Sequence, residues 1–110
     1  MDAIVERRME LRTASGSIPV TVTLGRPIPD ESHDSWRCDY ELRFGDVLKK
    51  MAMHGSDAMQ ALQLSLAILA VELEFGAKKH GGGLYYLGEP FRSVLENSGM
   101  QHNPPKTPGA

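Results

Sequence analysis

The sequence predicts an α+β domain in which an antiparallel sheet of four to five strands carries one long helix on one face. Segments in the first half of the chain alternate apolar and polar residues, which is typical of half-buried strands. An apolar segment follows whose large residues recur every three or four positions, which is typical of a helix. The expected element order is β-β-β-β-α-β, and the residues after the last strand suit a short C-terminal helix.

The first two strands are expected at residues 3–13 and 17–25, joined by a two-residue turn at Ser15-Gly16. Charged and apolar residues alternate in the first strand, and aliphatic residues alternate with a proline and two threonines in the second. This turn sets three pairs opposite each other: Leu11 with Val20, Met9 with Val22 and Arg7 with Leu24. The apolar faces of the two strands then coincide, a match that a slip of one residue would destroy.

The next two strands are expected on either side of a tight turn at Gly45-Asp46. Residues 26–35 before them predict a loop, because two prolines and a polar run exclude a central strand. Residues 36–44 then alternate most regularly, with five residues on the apolar face: Trp36, Cys38, Tyr40, Leu42 and Phe44. The turn places Glu41 opposite Lys50 on the polar face. Arg7 and Lys49 fall on apolar faces, where a sheet edge, snorkelling of the long side chain to solvent or a pocket would accommodate them.

The long helix is expected to begin at Ser56 as its N-cap, with Asp57 in the first turn, and to end at the glycines of residues 81–83. One apolar row is expected to face the sheet: Leu62, Leu66, Leu69 and Leu73. A helix this apolar is covered on more than one side, so a second row also needs a cover: Leu64, Ala67, Val71 and Phe75. Either Phe91, Val94 and Leu95 fold back over that row, or a second subunit covers it.

The chain after the helix predicts a short strand at residues 84–87. Residues 89–95 fit one or two helical turns with Pro90 at the first position. We expect a single domain over residues 1–97. Glycines and prolines are frequent in the remainder, which predicts a disordered tail at residues 98–110.

Length, charge and cysteine content restrict the class of protein. The chain of 110 residues suffices for one domain, and its formal net charge of −2 is evenly spread. Charges interrupt the N-terminal segment, and no apolar run approaches the roughly 20 residues that span a bilayer, so we expect neither a signal peptide nor a membrane partner. The single cysteine, Cys38, has no internal disulfide partner, which favours a cytoplasmic location.

We expect no catalytic, cofactor-binding or metal site, and an enzyme is the less favoured class. The four histidines lack paired ligand spacing: His33, His54, His80 and His102. The 26–35 loop gathers Asp30, Glu31, His33 and Asp34, which would hold a cation only loosely without converging ligands and outer-shell support. His80-Gly81-Gly82-Gly83 matches an oxyanion-hole string of some lipases, but no Gly-x-Ser-x-Gly elbow accompanies it. Whether either segment contacts a ligand stays open.

Two further groups of residues argue against specific chemistry. Cys38 lies on the predicted core face, which indicates a buried and inert thiol. Five cations lie on the charged sheet face: Arg8, Arg12, Arg37, Arg43 and Lys50. Carboxylates are interleaved among them, whereas phosphate binding needs a patch of one sign, so we expect no nucleic-acid partner.

Four stretches of the chain carry a resemblance: Glu6-Arg7-Arg8-Met9-Glu10-Leu11, Val20-Thr21-Val22-Thr23-Leu24-Gly25-Arg26-Pro27, Trp36-Arg37-Cys38-Asp39-Tyr40 and Gly55-Ser56-Asp57-Ala58-Met59-Gln60-Ala61-Leu62. Over about residues 4–88 the chain resembles a family of small uncharacterised bacterial proteins. The resemblance implies a bacterial cytosolic origin and supplies no catalytic residues. It also hints at relatives that act as immunity-like partners of toxins.

The expected function is a non-catalytic protein-interaction module, either self-associating or immunity-like. The apolar helix and the lack of assembled catalytic groups favour it. A small-ligand binder or an enzyme of unidentified class is the alternative, which a deep pocket with a shifted pKa would favour. A nucleic-acid binder is the second alternative, which segregated basic residues would favour.

Overall fold

The computed structural model describes residues 1–91, which form seven strands, one short 3₁₀ helix and one long α-helix. Five strands precede the long helix: β1 (Ala3–Thr13), β2 (Gly16–Gly25), β3 (Ile28–Asp30), β4 (Ser35–Phe44) and β5 (Val47–Gly55). The 3₁₀ helix, Glu31–His33, lies between β3 and β4. The remaining elements are α1 (Ala58–Lys79), β6 (Gly83–Tyr86) and β7 (Glu89–Pro90).

All seven strands belong to one antiparallel sheet, and α1 packs on one of its faces across β4, β5 and β6. Neighbouring strands follow the order β5-β4-β2-β1-β6-β7. On the side of β4 away from β5, β3 pairs with the first residues of β4 and β2 pairs with its last residues. The predicted fold class is confirmed. The two strands beyond the expected four to five are β3 and β7, which have three and two residues.

The first hairpin has the predicted faces but a different turn. Ala14 and Ser15 form the turn, so that Leu11 lies opposite Ile18, Met9 opposite Val20 and Arg7 opposite Val22. The predicted pairs were therefore wrong by two residues along β2. The Thr13 hydroxyl stabilises this turn, because it accepts a hydrogen bond from the Ser15 N–H and donates one to the Gly16 carbonyl. The turn therefore begins one residue earlier than predicted. A shift of two keeps each side chain on its face.

The second hairpin follows the predicted register throughout. Gly45 and Asp46 form the turn, Phe44 lies opposite Val47 and Glu41 lies opposite Lys50. Gly45 has φ +59°, a left-handed conformation that favours glycine in such a turn. Lys49 falls on the apolar face opposite Leu42, as expected.

Residues 26–35, predicted as a loop, contain β3 and the 3₁₀ helix. β3 pairs with the stretch of β4 that lies before the β2 pairing, on the same side of β4 as β2. The paired residues are Ile28 with Arg37, Pro29 with Trp36 and Asp30 with Ser35. A proline can lie in such a strand because only one edge of β3 is paired, and its missing N–H can face away from the ladder. The prolines therefore excluded a central strand, but not a short edge strand.

The long helix buries a different row from the predicted one. Five positions four residues apart face the sheet: Ala61, Ser65, Leu69, Leu73 and Ala77. Of the predicted row, Leu69 and Leu73 are buried and Leu62 is half-buried, whereas Leu66 is 49% exposed. The N-cap is also Asp57 rather than Ser56. Its carboxylate accepts the Gln60 N–H, and the Gln60 side chain in return accepts the Ser56 N–H.

The chain after α1 forms a small hairpin instead of a helical turn. β6 pairs with the end of β1, and β7 pairs with β6 across a turn at Leu87-Gly88. Both turn residues have positive φ, 53° at Leu87 and 83° at Gly88, as a two-residue hairpin of this twist requires. The predicted helical start at Pro90 was therefore wrong, and residues 92–95 of the predicted turns lie outside the described part of the chain. Val94, Leu95, the end of the predicted domain at residue 97 and the predicted tail lie outside the described residues.

The core lies between α1 and the apolar faces of β1, β2 and β4. Leu11, Val20, Cys38, Tyr40 and Ala61 are fully buried there. The opposite face of the sheet carries the charged residues of the same strands. By length and composition α1 could cross a membrane, although no apolar segment of that length was expected from the sequence. Core helices of soluble proteins, which are mostly buried, pass the same test, whereas 22% of this segment is buried.

Candidate functional site

The outward face of α1 exposes large apolar side chains along its length. Phe75, Met59 and Val71 are 68%, 63% and 58% exposed, and Leu64 and Leu66 lie on its flanks. Residues 58–71 of the helix contain no charged side chain, although a solvated helix face ordinarily carries several. We refer to Met59, Leu64, Leu66, Val71 and Phe75 as the outer helix surface. The expected second apolar row, Leu64, Ala67, Val71 and Phe75, belongs to this surface, apart from the half-buried Ala67.

Phe91 does not cover the outer helix surface. Its N–H donates to the Leu84 carbonyl, and its ring packs edge-on against Tyr86 with the ring centres 6.1 Å apart. Phe91 instead lines a groove between α1 and β6, with a volume of about 190 Å³ and with Leu73 and Leu84 among its walls. Within residues 1–91, the outer helix surface therefore has no apolar cover from the chain after the helix.

The two cations expected on apolar faces each find a specific partner. The Arg7 guanidinium stacks on the rings of Tyr86 and Phe91, 4.7 and 5.4 Å from their centres. It lies beyond the end of the β6 pairing, at the open edge of β1. The Lys49 ammonium ends 2.6 Å from a carboxylate oxygen of Glu72. The edge interpretation fits both cations, since Lys49 lies on the edge strand β5 and Arg7 lies beyond the β6 pairing of β1. Glu72 on the helix neutralises Lys49.

Glu72 also links the helix to the centre of the sheet. Its second carboxylate oxygen accepts a hydrogen bond from the Tyr40 hydroxyl, which is buried under the helix. Burial and the neighbouring carboxylate both raise the pKa of Tyr40 well above its usual value. Glu72 and Ser65 are two of the few polar residues in α1. Both face the sheet because each has a hydrogen-bond partner there.

Asp30, His33 and His54 converge at one end of the charged sheet face. Asp30 Oδ2 lies 3.0 Å from His33 Nδ1 and 3.0 Å from His54 Nε2. The Ser32 hydroxyl donates to Asp30 Oδ1 at 2.7 Å, which holds the carboxylate in place. These hydrogen bonds, with that from Ser32 first, hold the pKa of the Asp30 carboxyl well below its usual range.

The sequence indicated only part of this cluster. Asp30 and His33 belong to the segment in which a loose cation site was considered, but Glu31 and Asp34 are not among the converging ligands. His54 comes from β5 and reaches Asp30 because both β3 and β5 pair with the start of β4. Chain spacing gave no signal for this contact, which depends on the unexpected strand β3.

Other groups considered from the sequence are bonded within the fold. Cys38 is fully buried, its thiol donates to the Gly25 carbonyl at 3.3 Å, and burial raises its pKa. The His80 ring stacks on Phe44, and its Nδ1 lies 2.8 Å from the Gly76 carbonyl. On the open sheet face, Arg8, Arg12 and Arg37 pair with Glu6, Glu10 and Asp39 two residues away on the same strand.

Within residues 1–91, these elements define an α+β domain with one α-helix, a charged open sheet face, a cluster of Asp30, His33 and His54, and an apolar outer helix surface. A family described as a domain of unknown function, DUF6968, matches residues 5–94, and the chain belongs to that family. The match agrees with the resemblance to uncharacterised proteins that the sequence shows over about residues 4–88. No curated protein and no solved structure matches the chain.

Proposed function

We propose that the protein is a non-catalytic interaction module that associates with a second copy of itself through the outer helix surface. One observation carries the proposal: Met59, Val71 and Phe75 are solvent-exposed on a helix whose residues 58–71 lack charge. A row of exposed large apolar side chains of this kind is uncommon on a monomer and typical of an interface.

A second copy fits this surface because its apolar residues are arranged nearly symmetrically along the helix. Met59 and Phe75 each lie eight residues from Ala67, which is half-buried and small. In an antiparallel helix pair with a twofold axis at Ala67, Met59 of one copy and Phe75 of the other therefore lie at the same height along the pair, on the two sides of the contact line through Ala67. A twofold interface is closed, so both outer helix surfaces are covered at once.

The charges at the ends of the helix favour the antiparallel orientation. Asp57 stands before the first turn, and Lys78 and Lys79 lie in the last turn. The same twofold axis places Asp57 of one copy near Lys78 of the other, since the two lie ten and eleven residues from Ala67. A parallel pair would instead bring like charges together.

The area of the outer helix surface determines how tightly the two copies are expected to associate. A helix of 22 residues is about 33 Å long, and a strip about 10 Å wide along it covers roughly 330 Å² per copy. Stable complexes bury about 800 Å² per partner. We therefore expect a reversible dimer whose population depends on concentration over the micromolar range.

Two alternatives have less support. The groove beside Phe91, at about 190 Å³, is smaller than the roughly 300–1,000 Å³ of ordinary ligand pockets. A larger depression of about 510 Å³ lies on the charged sheet face, but its walls are mostly polar, with Glu6, Arg8 and Glu41 among them, whereas ligand pockets are mostly apolar. Both observations weigh against a small-ligand binder or an enzyme. The arginines that pair with carboxylates on their own strands weigh against a nucleic-acid surface. The proposal keeps a bacterial cytoplasm as the setting, where the free thiol of Cys38 would stay reduced.

Sedimentation velocity of the full chain across a concentration series tests the proposal. The wild type should show a reversible monomer–dimer equilibrium, and Val71→Glu should shift it to monomer without lowering the melting temperature by more than a few degrees. Val47→Glu is the matched control, because Val47 is a similarly exposed valine on β5, and it should dimerise as the wild type does.

A wild type that stays monomeric at high micromolar concentration would contradict self-association. If Val71→Glu then strongly destabilises that monomer, the chain's own residues 92–110 cover the surface. If Val71→Glu leaves the monomer's stability unchanged, a different protein, such as an immunity-like partner, becomes the better occupant. A dimer that persists in Val71→Glu would place the interface elsewhere.

A further inference from the structure

We propose that Asp30, His33 and His54 form a binding site for a divalent first-row transition-metal ion, and that Zn²⁺ is the ion this donor set favours. One oxygen and two ring nitrogens lie within 4.8 Å of one another. Asp30 Oδ2 already lies 3.0 Å from each of the two nitrogens. The inference is independent of the outer helix surface, because these side chains lie on the sheet face opposite α1.

The spacing of the ligand atoms suits a tetrahedral ion. Around Zn²⁺, with metal–ligand bonds of about 2.0–2.1 Å, neighbouring ligand atoms lie about 3.4 Å apart. The two oxygen–nitrogen distances of 3.0 Å need to open only slightly. Both imidazole rings are exposed, so that small rotations can bring the nitrogens to an ion without disturbing the core.

The chemistry of the donors selects the class of metal. Two imidazole nitrogens and one carboxylate oxygen suit zinc, iron, cobalt and nickel. Calcium and magnesium instead require about six or more oxygen ligands, which these three side chains do not provide. Three protein ligands leave at least one coordination position for water or for a further ligand.

The surroundings orient the carboxylate and lower its conformational freedom. The Ser32 hydroxyl occupies Asp30 Oδ1 at 2.7 Å, so that Oδ2 remains for the ion. The Asp30 side chain is only 11% exposed. Pairing to β4 fixes the backbone on both sides, since Asp30 lies opposite Ser35 and His54 opposite Arg37. Outer-shell hydrogen bonds of this kind support metal ligands in proteins generally.

The neighbouring charges permit a cation at this position. Arg37 lies between Ile28 and His54 in the strand ladder, but its guanidinium pairs with Asp39 at 3.0 Å. Glu31 and Asp34 flank His33 in the chain and add negative charge at the same end of the sheet. Without metal, each histidine can donate an N–H to Asp30. With metal, each ring keeps its proton on the other nitrogen and offers a lone pair to the ion.

Isothermal titration of the full chain, prepared without a polyhistidine tag, with Zn²⁺ in a non-coordinating buffer tests the site. We expect one ion per chain. His33→Gln and His54→Gln should each weaken binding by at least about tenfold, and Ser32→Ala by about tenfold with the stoichiometry unchanged. His80→Gln is the matched control and should bind as the wild type does, because His80 lies at the end of α1 and outside the cluster. Calcium and magnesium should give no heat.

A second readout locates the ion without relying on affinity. In NMR spectra of the full chain, paramagnetic Co²⁺ should broaden the ring signals of His33 and His54 before those of His80. The proposal is overturned if Zn²⁺ gives no binding at micromolar protein, or if binding survives undiminished in both histidine variants. Zinc binding by Val71→Glu should match the wild type, so failure of the proposed dimer would leave this inference intact.

Discussion

Single buried polar residues fix how the helix lies on the sheet. Ser65 is fully buried, and its hydroxyl donates to the Cys38 carbonyl at 2.9 Å. Glu72, two turns later, accepts from Tyr40 and pairs with Lys49. Apolar contacts alone tolerate small rotations of a helix, whereas each of these bonds is lost if the helix turns. An unpaired buried group costs roughly 1–3 kcal/mol, so together they select one orientation.

The Cys38 thiol should react slowly in the native protein. It is fully buried, it donates to a backbone carbonyl, and burial raises its pKa, so that little thiolate forms near neutral pH. Labelling with a thiol reagent at pH 7–8 should proceed at the rate of unfolding and become fast in denaturant. Rapid labelling of the folded chain, checked by circular dichroism in the same sample, would contradict a structural role.

At the scale of elements, the faces of the strands could be predicted from the sequence, but the face of the helix could not. Alternation in β4 and a glycine at the turn are local signals, and they fixed the second hairpin completely. In α1 apolar residues lie on all sides of the helix, so periodicity does not distinguish the row through Leu66 from the row through Ser65. The Ser65 hydrogen bond crosses from helix to strand, and no local pattern contains it.

Leucine truncations should separate the two helix rows. Leu69→Ala and Leu73→Ala remove buried side chains and should each cost about 2–5 kcal/mol of unfolding free energy. Leu66→Ala removes a half-exposed side chain and should cost less than about 1 kcal/mol. Urea denaturation of the three variants at low micromolar concentration measures the difference. If Leu66→Ala lowered the free energy of unfolding as much as Leu69→Ala does, the row predicted from the sequence would be the one that faces the sheet.

The small hairpin of β6 and β7 carries a residue whose replacement should help. Leu87 has φ +53° and its side chain is 83% exposed, so it adopts a left-handed conformation without burying apolar surface. Such a conformation costs about 1–2 kcal/mol for an ordinary residue and less for asparagine. Leu87→Asn should therefore raise the stability of the hairpin by up to about 1 kcal/mol, seen as slower amide exchange in β6. Faster exchange in that variant would show that the Leu87 side chain itself stabilises the turn.

At the scale of the whole molecule, the candidate metal cluster depends on topology that the sequence conceals. Asp30 and His54 are 24 residues apart, and they meet only because β3 and β5 flank the start of β4. Because residues 26–35 were predicted as a loop, the predicted fold did not include β3, the strand that places Asp30 near His54. The apolar excess of the helix was readable directly from composition, since no packing information is needed to see that residues 58–71 lack charge. Composition alone thus indicated the outer helix surface, whereas the cluster of Asp30, His33 and His54 could be recognised only once the strand pairing was known.

The stability of the whole fold should fall at alkaline pH through Tyr40. Burial raises its pKa above the value of about 10 that a tyrosine has in the unfolded chain. Below pH 9 or so both states keep the proton and this residue contributes no pH dependence. Above that pH the unfolded chain releases the proton while the native state holds it, so the free energy of unfolding decreases as pH rises.

Tyr40→Phe isolates this effect, because it removes the titrating group and keeps the ring. The variant should lose about 1–2 kcal/mol at neutral pH with the hydrogen bond to Glu72, yet show a flatter decline between pH 9 and 11. Urea denaturation at each pH gives the two curves. Parallel curves would show that the Tyr40 hydroxyl ionises as readily in the fold as in the unfolded chain, and that its burial beside Glu72 does not resist the loss of its proton.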